Sequence, residues 1–277
     1  MTRQQQLENF ECEARRIVFQ NEDPSKLTIK ISRIRDLQKK KLCSLTFRCI
    51  KNDVGESFDK YFEIIDGEHG TRNNKMSIRL PEGHDTTASS LQWAVHMIGK
   101  YPDVQSQLQN EVDRFYESVG DNAVTADRLK ELHYLECVIK ETLRYIPSVP
   151  LIGREISEDC QFGPYFIPKG CGLSMILKPL HHDPGVWNEP ETFNPNRFLT
   201  DNVTGRNPFA HVPFSAGPRN CVGQRFAMME EKVVLSSIIR HFNIKSTQIT
   251  ENIRITADSI LSSTDGILVE LETRNVC

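Results

Sequence analysis

FSAGPRNCVG, Phe214–Gly223, sets one cysteine among two glycines, a proline, an arginine and an asparagine, and an amphipathic helical pattern begins directly after it. Glycine at 217 and 223 lets the backbone pass close to something flat and bulky, because no Cβ stands in the way. Arg219 offers a planar fork of donors matched to a carboxylate. Cys221 stands just ahead of a helix, where free N–H groups and the helix dipole favour the thiolate, the form that binds metal. A lone cysteine in such a place is more often a small buried apolar residue. Its neighbours at 214, 217, 219 and 223 are what argue against that here.

Downstream, Phe226, Met229, Val233, Val234, Ile238 and Phe242 keep helical spacing, and GILVELE closes the chain as a strand. Upstream, ETLR puts Glu141 and Arg144 one helical turn apart, where they can pair. They fall in a helix predicted from a Thr125 cap through Leu129, Leu132, Val138 and Ile139 to Tyr145, ended by Pro147 and Pro150. A second helix follows Pro102, with Val104, Leu108, Val112 and Phe115 on one face. A third starts at Pro81, whose missing N–H costs nothing at the first helical position, and runs towards Gly99 with Glu82 and Asp85 near the positive end of its dipole. YFIPKGCGLSMIL is strand-like, and a long Pro- and Asn-rich connection follows it. The predicted class is mainly α with small β-sheets, an α+β arrangement.

Residues 1–80 form an unassigned, weakly structured segment, separate from the portion 81–277. Within it, Leu7, Phe10, Ala14, Ile17 and Val18 suggest a helix, KLTIKISRI and KLCSLTFRCI alternate like strands, and Asp66–Asn74 collects turn formers. This segment holds 16 Lys/Arg against 12 Asp/Glu, while residues 81–277 hold 18 against 25. The basic run RIRDLQKKK (33–41) is read as a solvated face, and no nucleic-acid partner is expected. The eight cysteines include no C-x-x-C pair, the chain opens without an apolar secretory stretch, and no apolar run approaches the ~20 residues that cross a bilayer. A reducing, cytosol-facing compartment is expected, with any membrane contact peripheral.

FSAGPRNCVG resembles the haem-binding loop F-x-x-G-x-R-x-C-x-G of the cytochrome P-450 monooxygenases at every fixed position. That family also carries E-x-x-R in a helix followed by a loop arginine. ETLR and FNPNRF (193–198) are similar, which implies a structural triad of Glu141, Arg144 and Arg197 beneath the haem. The resemblance makes Cys221 the iron ligand of a haem b, with Phe214, Gly217, Arg219 and Gly223 in its cradle. Arg154 in VPLIGR stands where the family has a basic residue facing a haem propionate. EGHDTT (82–87) resembles the oxygen-activating segment of the distal helix, most closely in the fatty-acid ω-hydroxylase branch, family four. There Asp85 and Thr86 would deliver protons, and Glu82 would match a glutamate that can be esterified to a haem methyl.

The resemblance covers about residues 81–275, the C-terminal portion of a truncated cytochrome P-450 fold lacking the family's N-terminal half. It implies a haem-thiolate monooxygenase that uses O2 and an NADPH-dependent reductase on a lipophilic substrate, a fatty acid or related acyl chain. The family branch resides on the cytosolic face of the endoplasmic reticulum, which the resemblance implies here, with a cytosolic location as the alternative for a chain without an anchor. The alternative is a non-catalytic truncated form that keeps the cysteine loop without holding haem productively. His181, His182 and His211 lack the short paired spacing of a zinc site and are read as loop and packing residues.

Overall fold

The structure, a computed structural model, describes residues 27–33, 43–51, 57–64, 79–120, 124–257 and 259–274, with side chains from Asp85 onward. The helix expected over residues 7–18 and the loop over 66–74 lie outside the described residues. In chain order the strands and main helices are β1 (Leu27–Arg33), β2 (Cys43–Lys51), β3 (Ser57–Ile64), α1 (Arg79–Lys100), α2 (Pro102–Val119) and α3 (His133–Tyr145). Then come β4 (Leu151–Glu155), β5 (Cys160–Phe162), β6 (Tyr165–Ile167), β7 (Gly172–Ile176), α4 (Gln224–His241), β8 (Phe242–Ser246), β9 (Ile255–Ala257), β10 (Leu261–Ser263) and β11 (Ile267–Thr273). This is the expected mixture of helices and small antiparallel sheets.

α1 is the central element. Every residue from Ser89 to Gly99 is buried, the signature of a helix enclosed on all sides. It touches α2, α3, α4, β8 and β11. At its end a Cβ on Gly99 would stand 2.7 Å from the Ser246 backbone nitrogen, so only glycine lets the helix approach β8 so closely. The α2 stripe Val104, Leu108, Val112 and Phe115 is buried as its spacing predicts. On α3, Leu135, Val138 and Ile139 are fully enclosed, and trimming one of the larger ones to alanine would cost about 2–5 kcal/mol.

A five-stranded antiparallel sheet runs in the order β3-β2-β1-β11-β8. Its register sets Leu27, Ile29 and Ile31 opposite Leu271, Val269 and Ile267, so apolar positions pair across the ladder. In β11 burial alternates, with Ile267, Val269 and Leu271 inward. The separate pairs β4-β7, β5-β6 and β9-β10 complete the strands.

Three boundaries differ from the sequence reading. α1 begins at Arg79 rather than Pro81; the first four N–H groups of a helix have no internal partner, so proline in the third position removes nothing. The helix expected from Thr125 to Tyr145 is split into a 3-10 turn, Arg128–Glu131, and α3, with Leu132 at φ −80°, ψ 77° between them. The Thr125 hydroxyl accepts from Arg128 N at 3.3 Å, while the start of α3 is capped from another helix: Glu111 of α2 accepts from the backbone of Tyr134 at 2.7 Å and Leu135 at 2.9 Å. Finally, Phe242 keeps the helical spacing yet begins β8, because pairing with Thr273 of β11 continues the sheet there.

Candidate functional site

Glu141, Arg144 and Arg197 meet in a closed network. Arg144 forks onto Glu141 with Nε to Oε2 at 2.8 Å and Nη2 to Oε1 at 2.9 Å. Its other contacts are the carbonyls of His181, Pro190 and Thr192, at 3.0, 2.9 and 3.2 Å. Glu141 Oε1 also accepts from Asn194 N at 2.8 Å and Arg197 Nε at 3.3 Å. Arg197 donates in turn to the carbonyls of Asn188, Glu189 and Thr192. Glu141 and Arg144 have no exposed side-chain surface, and Arg197 keeps 9%. A buried ion pair is tolerable only when its remaining hydrogen-bond capacity is met, and here it is. The network ties α3 to the irregular chain between His181 and Arg197.

The cysteine loop is built differently. Gly217–Arg219 makes one 3-10 turn, with Gly217 at φ +75°, a left-handed conformation that disfavours any side chain. The Cys221 N–H donates to Phe214 O at 2.8 Å, closing the loop, and α4 begins three residues later. Phe214 packs its ring against the core, while Cys221 is exposed. Gly217, Arg219 and Val222 are exposed as well, Val222 at 82%, and Phe226 at 48% does not join the buried stripe its spacing suggested. It lies on the turn of α4 nearest the loop, where the helix faces away from the core.

The residues around Cys221 suit a flat, largely apolar group with an anionic edge. Gly223 has φ −87°, open to any residue, and a Cβ there would lie 3.8 Å from the Cys221 sulfur, ordinary contact. Neither strain nor packing within the protein therefore requires glycine at 223; its missing side chain leaves room beside the thiol. Val222 and Phe226 supply exposed apolar surface, and two of the guanidinium groups near the loop could face an anionic edge. One is Arg219 within the loop. The other is Arg154 of β4, whose Nη2 donates to Ser215 Oγ at 2.6 Å and whose Nη1 donates to Gly153 O at 2.7 Å.

Asp85 and Thr86 lie half-buried near the start of α1, one turn after Glu82, whose side chain is outside the described set. α1 packs on α4 one turn further on, where Ser90 lies near Glu231, its Oγ without a hydrogen-bond partner among the described residues. Glu231 is 2% exposed and its Oε2 has no hydrogen-bond partner among the described residues. Burial pushes its carboxyl up to about 8, with the Ser90 hydroxyl opposing and neighbouring Glu230 adding to the shift. Burial alone raises Glu230 to about 7. Sequence reading passed over both acids, since a Glu-Glu pair on a helix ordinarily faces solvent.

The histidines act in packing. His181 is fully buried, its Nε2 accepts from Val212 N at 3.1 Å, and burial, with Arg144 nearby, lowers it to about 4. His211 contacts Lys140 O at 3.1 Å through Nε2 and is held well below its ordinary value by burial. His182 sits between Glu191, at 2.9 Å, and Tyr145 O, at 3.1 Å. No cluster of three metal-ligating side chains occurs among the described residues. Sequence reading also missed Trp187, buried between the guanidinium groups of Arg144 at 5.3 Å and Arg206 at 4.4 Å.

The model of the cytochrome P450 family matches residues 73–271. Cytochrome P450 4V2 of Homo sapiens is 45% identical over 231 residues, covering 81% of this chain and 44% of its own length. Cytochrome P450 4c3 of Drosophila melanogaster and cytochrome P450 4c21 of Blattella germanica are each 39% identical over 194 residues, 70% of this chain. The human coverage exceeds what residues 73–277 can hold, so the likeness extends upstream of residue 73, further than the sequence reading took it. The chain spans less than half the length of the curated relatives it matches. With these matches over most of its length and family-four names among its relatives, the chain belongs to the cytochrome P450 family.

Proposed function

We propose that residues 81–277 form the haem-binding portion of a haem-thiolate monooxygenase that inserts one oxygen atom of O2 into a C–H bond of a lipophilic substrate, a fatty acid or related acyl chain. The observation that carries this reading is the exposed Cys221 in a loop closed by its own N–H, with room left beside the sulfur at Gly223, Arg219 within the loop and Arg154 bonded to Ser215. Haem b, when bound, supplies the oxygen chemistry, and a thiolate ligand favours O–O cleavage. Cys221 would hold the iron. Arg154 and Arg219 would neutralise the carboxylates, and Phe214 would brace the loop from the core side. Gly217 and Gly223 would keep the approach to the sulfur open.

Asp85 and Thr86 would pass protons at the start of α1, an acid and a hydroxyl in adjacent positions being suited to a relay. Glu82 would be the point of covalent attachment. Glu141, Arg144 and Arg197 would act as scaffold, since their polar atoms are already committed to one another and to backbone carbonyls.

The electron donor would be an NADPH-dependent reductase; the cleft beneath the loop has Arg225 on its rim, while Lys140 and Lys232 there are paired with Glu136 at 2.7 and 2.8 Å and Lys130 with Asp127 at 2.6 Å. We place the enzyme on the cytosolic face of the endoplasmic reticulum; no described helix is long and apolar enough to cross a membrane. The test is the reduced, carbon-monoxide difference spectrum of the chain with added haem, beside Cys221→Ser. A red-shifted Soret band in the wild type, absent in the variant, is expected. No band, or one indifferent to the substitution, would leave the chain a non-catalytic form that keeps the loop without its haem.

A further inference from the structure

Ser215 is one of two residues other than glycine with positive φ among those described, at +62°. Glycine would adopt this conformation without steric cost, and alanine would be strained as much as serine. What serine adds is a hydroxyl, and that hydroxyl accepts from Arg154 Nη2 at 2.6 Å, across 61 residues of sequence. The position is otherwise fixed through the backbone, since Ser215 N donates to Val212 O at 2.9 Å and the preceding carbonyl, of Phe214, accepts from Cys221 N. Strain held at one residue of a loop directs attention to the contact it sustains.

Arg154 approaches from β4, paired there with Leu173 of β7, so the contact joins a strand to the cysteine loop. A guanidinium carries five N–H donors. Arg154 turns one to Ser215 Oγ and one to Gly153 O, which fixes the plane of the fork and leaves other donors to be offered together. A serine hydroxyl that accepts from a guanidinium still has its own proton to donate. Ser215 and Arg154 thus form a preset pair able to grip one carboxylate from two sides.

We propose that Ser215 is a positioning residue that holds Arg154 at the mouth of the cysteine loop as a carboxylate clamp, making the site selective for a porphyrin with free carboxylates. This rests on the haem-binding reading above but can fail separately from it. The clamp is read with metal-free protoporphyrin IX, which needs no thiolate, by quenching of its fluorescence on titration with the chain; its dimethyl ester, which lacks the charges, is the control.

The wild type should prefer the acid over the ester. Ser215→Ala and Ser215→Gly should each weaken binding of the acid by roughly tenfold, the loss of one hydrogen bond to a charged group, with ester binding unchanged. Gly and Ala agreeing would assign the loss to the hydroxyl, because only Gly relieves the strain. In an Arg154→Ala background, Ser215→Ala should add nothing. The proposal is overturned if the wild type binds both porphyrins alike or neither, if Ser215→Ala weakens both equally, or if the two substitutions add. Failure of the haem reading shows elsewhere, as a missing Cys221-dependent carbon-monoxide band.

Discussion

The Glu141–Arg144–Arg197 network and the cysteine loop both set arginine against irregular backbone, yet one is closed and the other open. In the network the described guanidinium hydrogen bonds end on Glu141 or on carbonyls between His181 and Thr192, and Glu141 and Arg144 are fully buried. In the loop, Cys221, Arg219 and Val222 face outward, and the strained Ser215 spends its hydroxyl on one arginine. The difference separates two uses of the same chemistry. Charges that meet their partners within the fold hold it together, whereas a thiol and cations left at the surface are available to something outside the chain.

The largest effect should come from Arg144→Ala, which strips the buried Glu141 carboxylate of its forked partner and leaves it only Arg197 Nε at 3.3 Å and Asn194 N at 2.8 Å. A loss of about 3–5 kcal/mol is expected, a large part of the ~5–15 kcal/mol that holds a typical domain folded. Cys221→Ser, on the open side, should change stability by no more than about 0.5 kcal/mol. Denaturant unfolding of the two variants compares the regions directly, and equal costs would dissolve the contrast.

Acid should attack the closed side next. His181 supports the loop around the network, and it and His96, fully buried, are both lowered to about 4 from an ordinary 6.5, chiefly by burial. The unfolded chain therefore takes up protons that the folded chain refuses. The stability these residues contribute is complete above about pH 6.5 and is lost as pH falls towards 4. Replacing His181 with Asn should flatten that fall in unfolding free energy by on the order of 1–3 kcal/mol at pH 4. An unchanged slope would mean His181 is not held neutral.

Glu231 gives the smaller effect, at the α1–α4 seam that leads towards the open side. Its folded value of about 8 lies above the ordinary 4.5, so folding takes up a proton there. That contribution is complete below about pH 4.5 and lost as pH rises through 8, the opposite direction to the histidines. Glu231→Gln should stabilise the chain at pH 8 by on the order of 1–2 kcal/mol and have little effect at pH 5. A gain independent of pH would point to packing instead of charge.

Much of the helical framework was legible. The stripe from Val104 to Phe115 became the buried face of α2, and Glu141 and Arg144 pair at helical spacing. The failures came where a distant segment outbid a local signal. The α3 start depends on Glu111, a cap 23 residues upstream that no local motif contains. Phe242 continues the helical period of α4 but pairs with β11, whose approach only the fold arranges. Phe226 fits the apolar stripe and is exposed, because periodicity names a face without saying whether anything covers it. Glu230 and Glu231 carry no local signal that sets them apart, and the enclosure of Glu231, with partial burial of Glu230, follows from the packing of α4 on α1.

By itself the sequence determined the family resemblance, the helical stripes and the identity of the chemical groups: one thiol ahead of a helix, its glycines, the arginines and the acid–hydroxyl pair on α1. Those are properties of residue type and local spacing, which the covalent chain fixes before folding. The tertiary structure alone decided which carbonyls saturate Arg144, that Ser215 adopts a left-handed conformation and reaches Arg154, and that Glu231 loses water without gaining a cation. Each of these depends on segments far apart in sequence sharing one small volume, where burial and donor geometry set the free energy, and neither exists until the chain has packed.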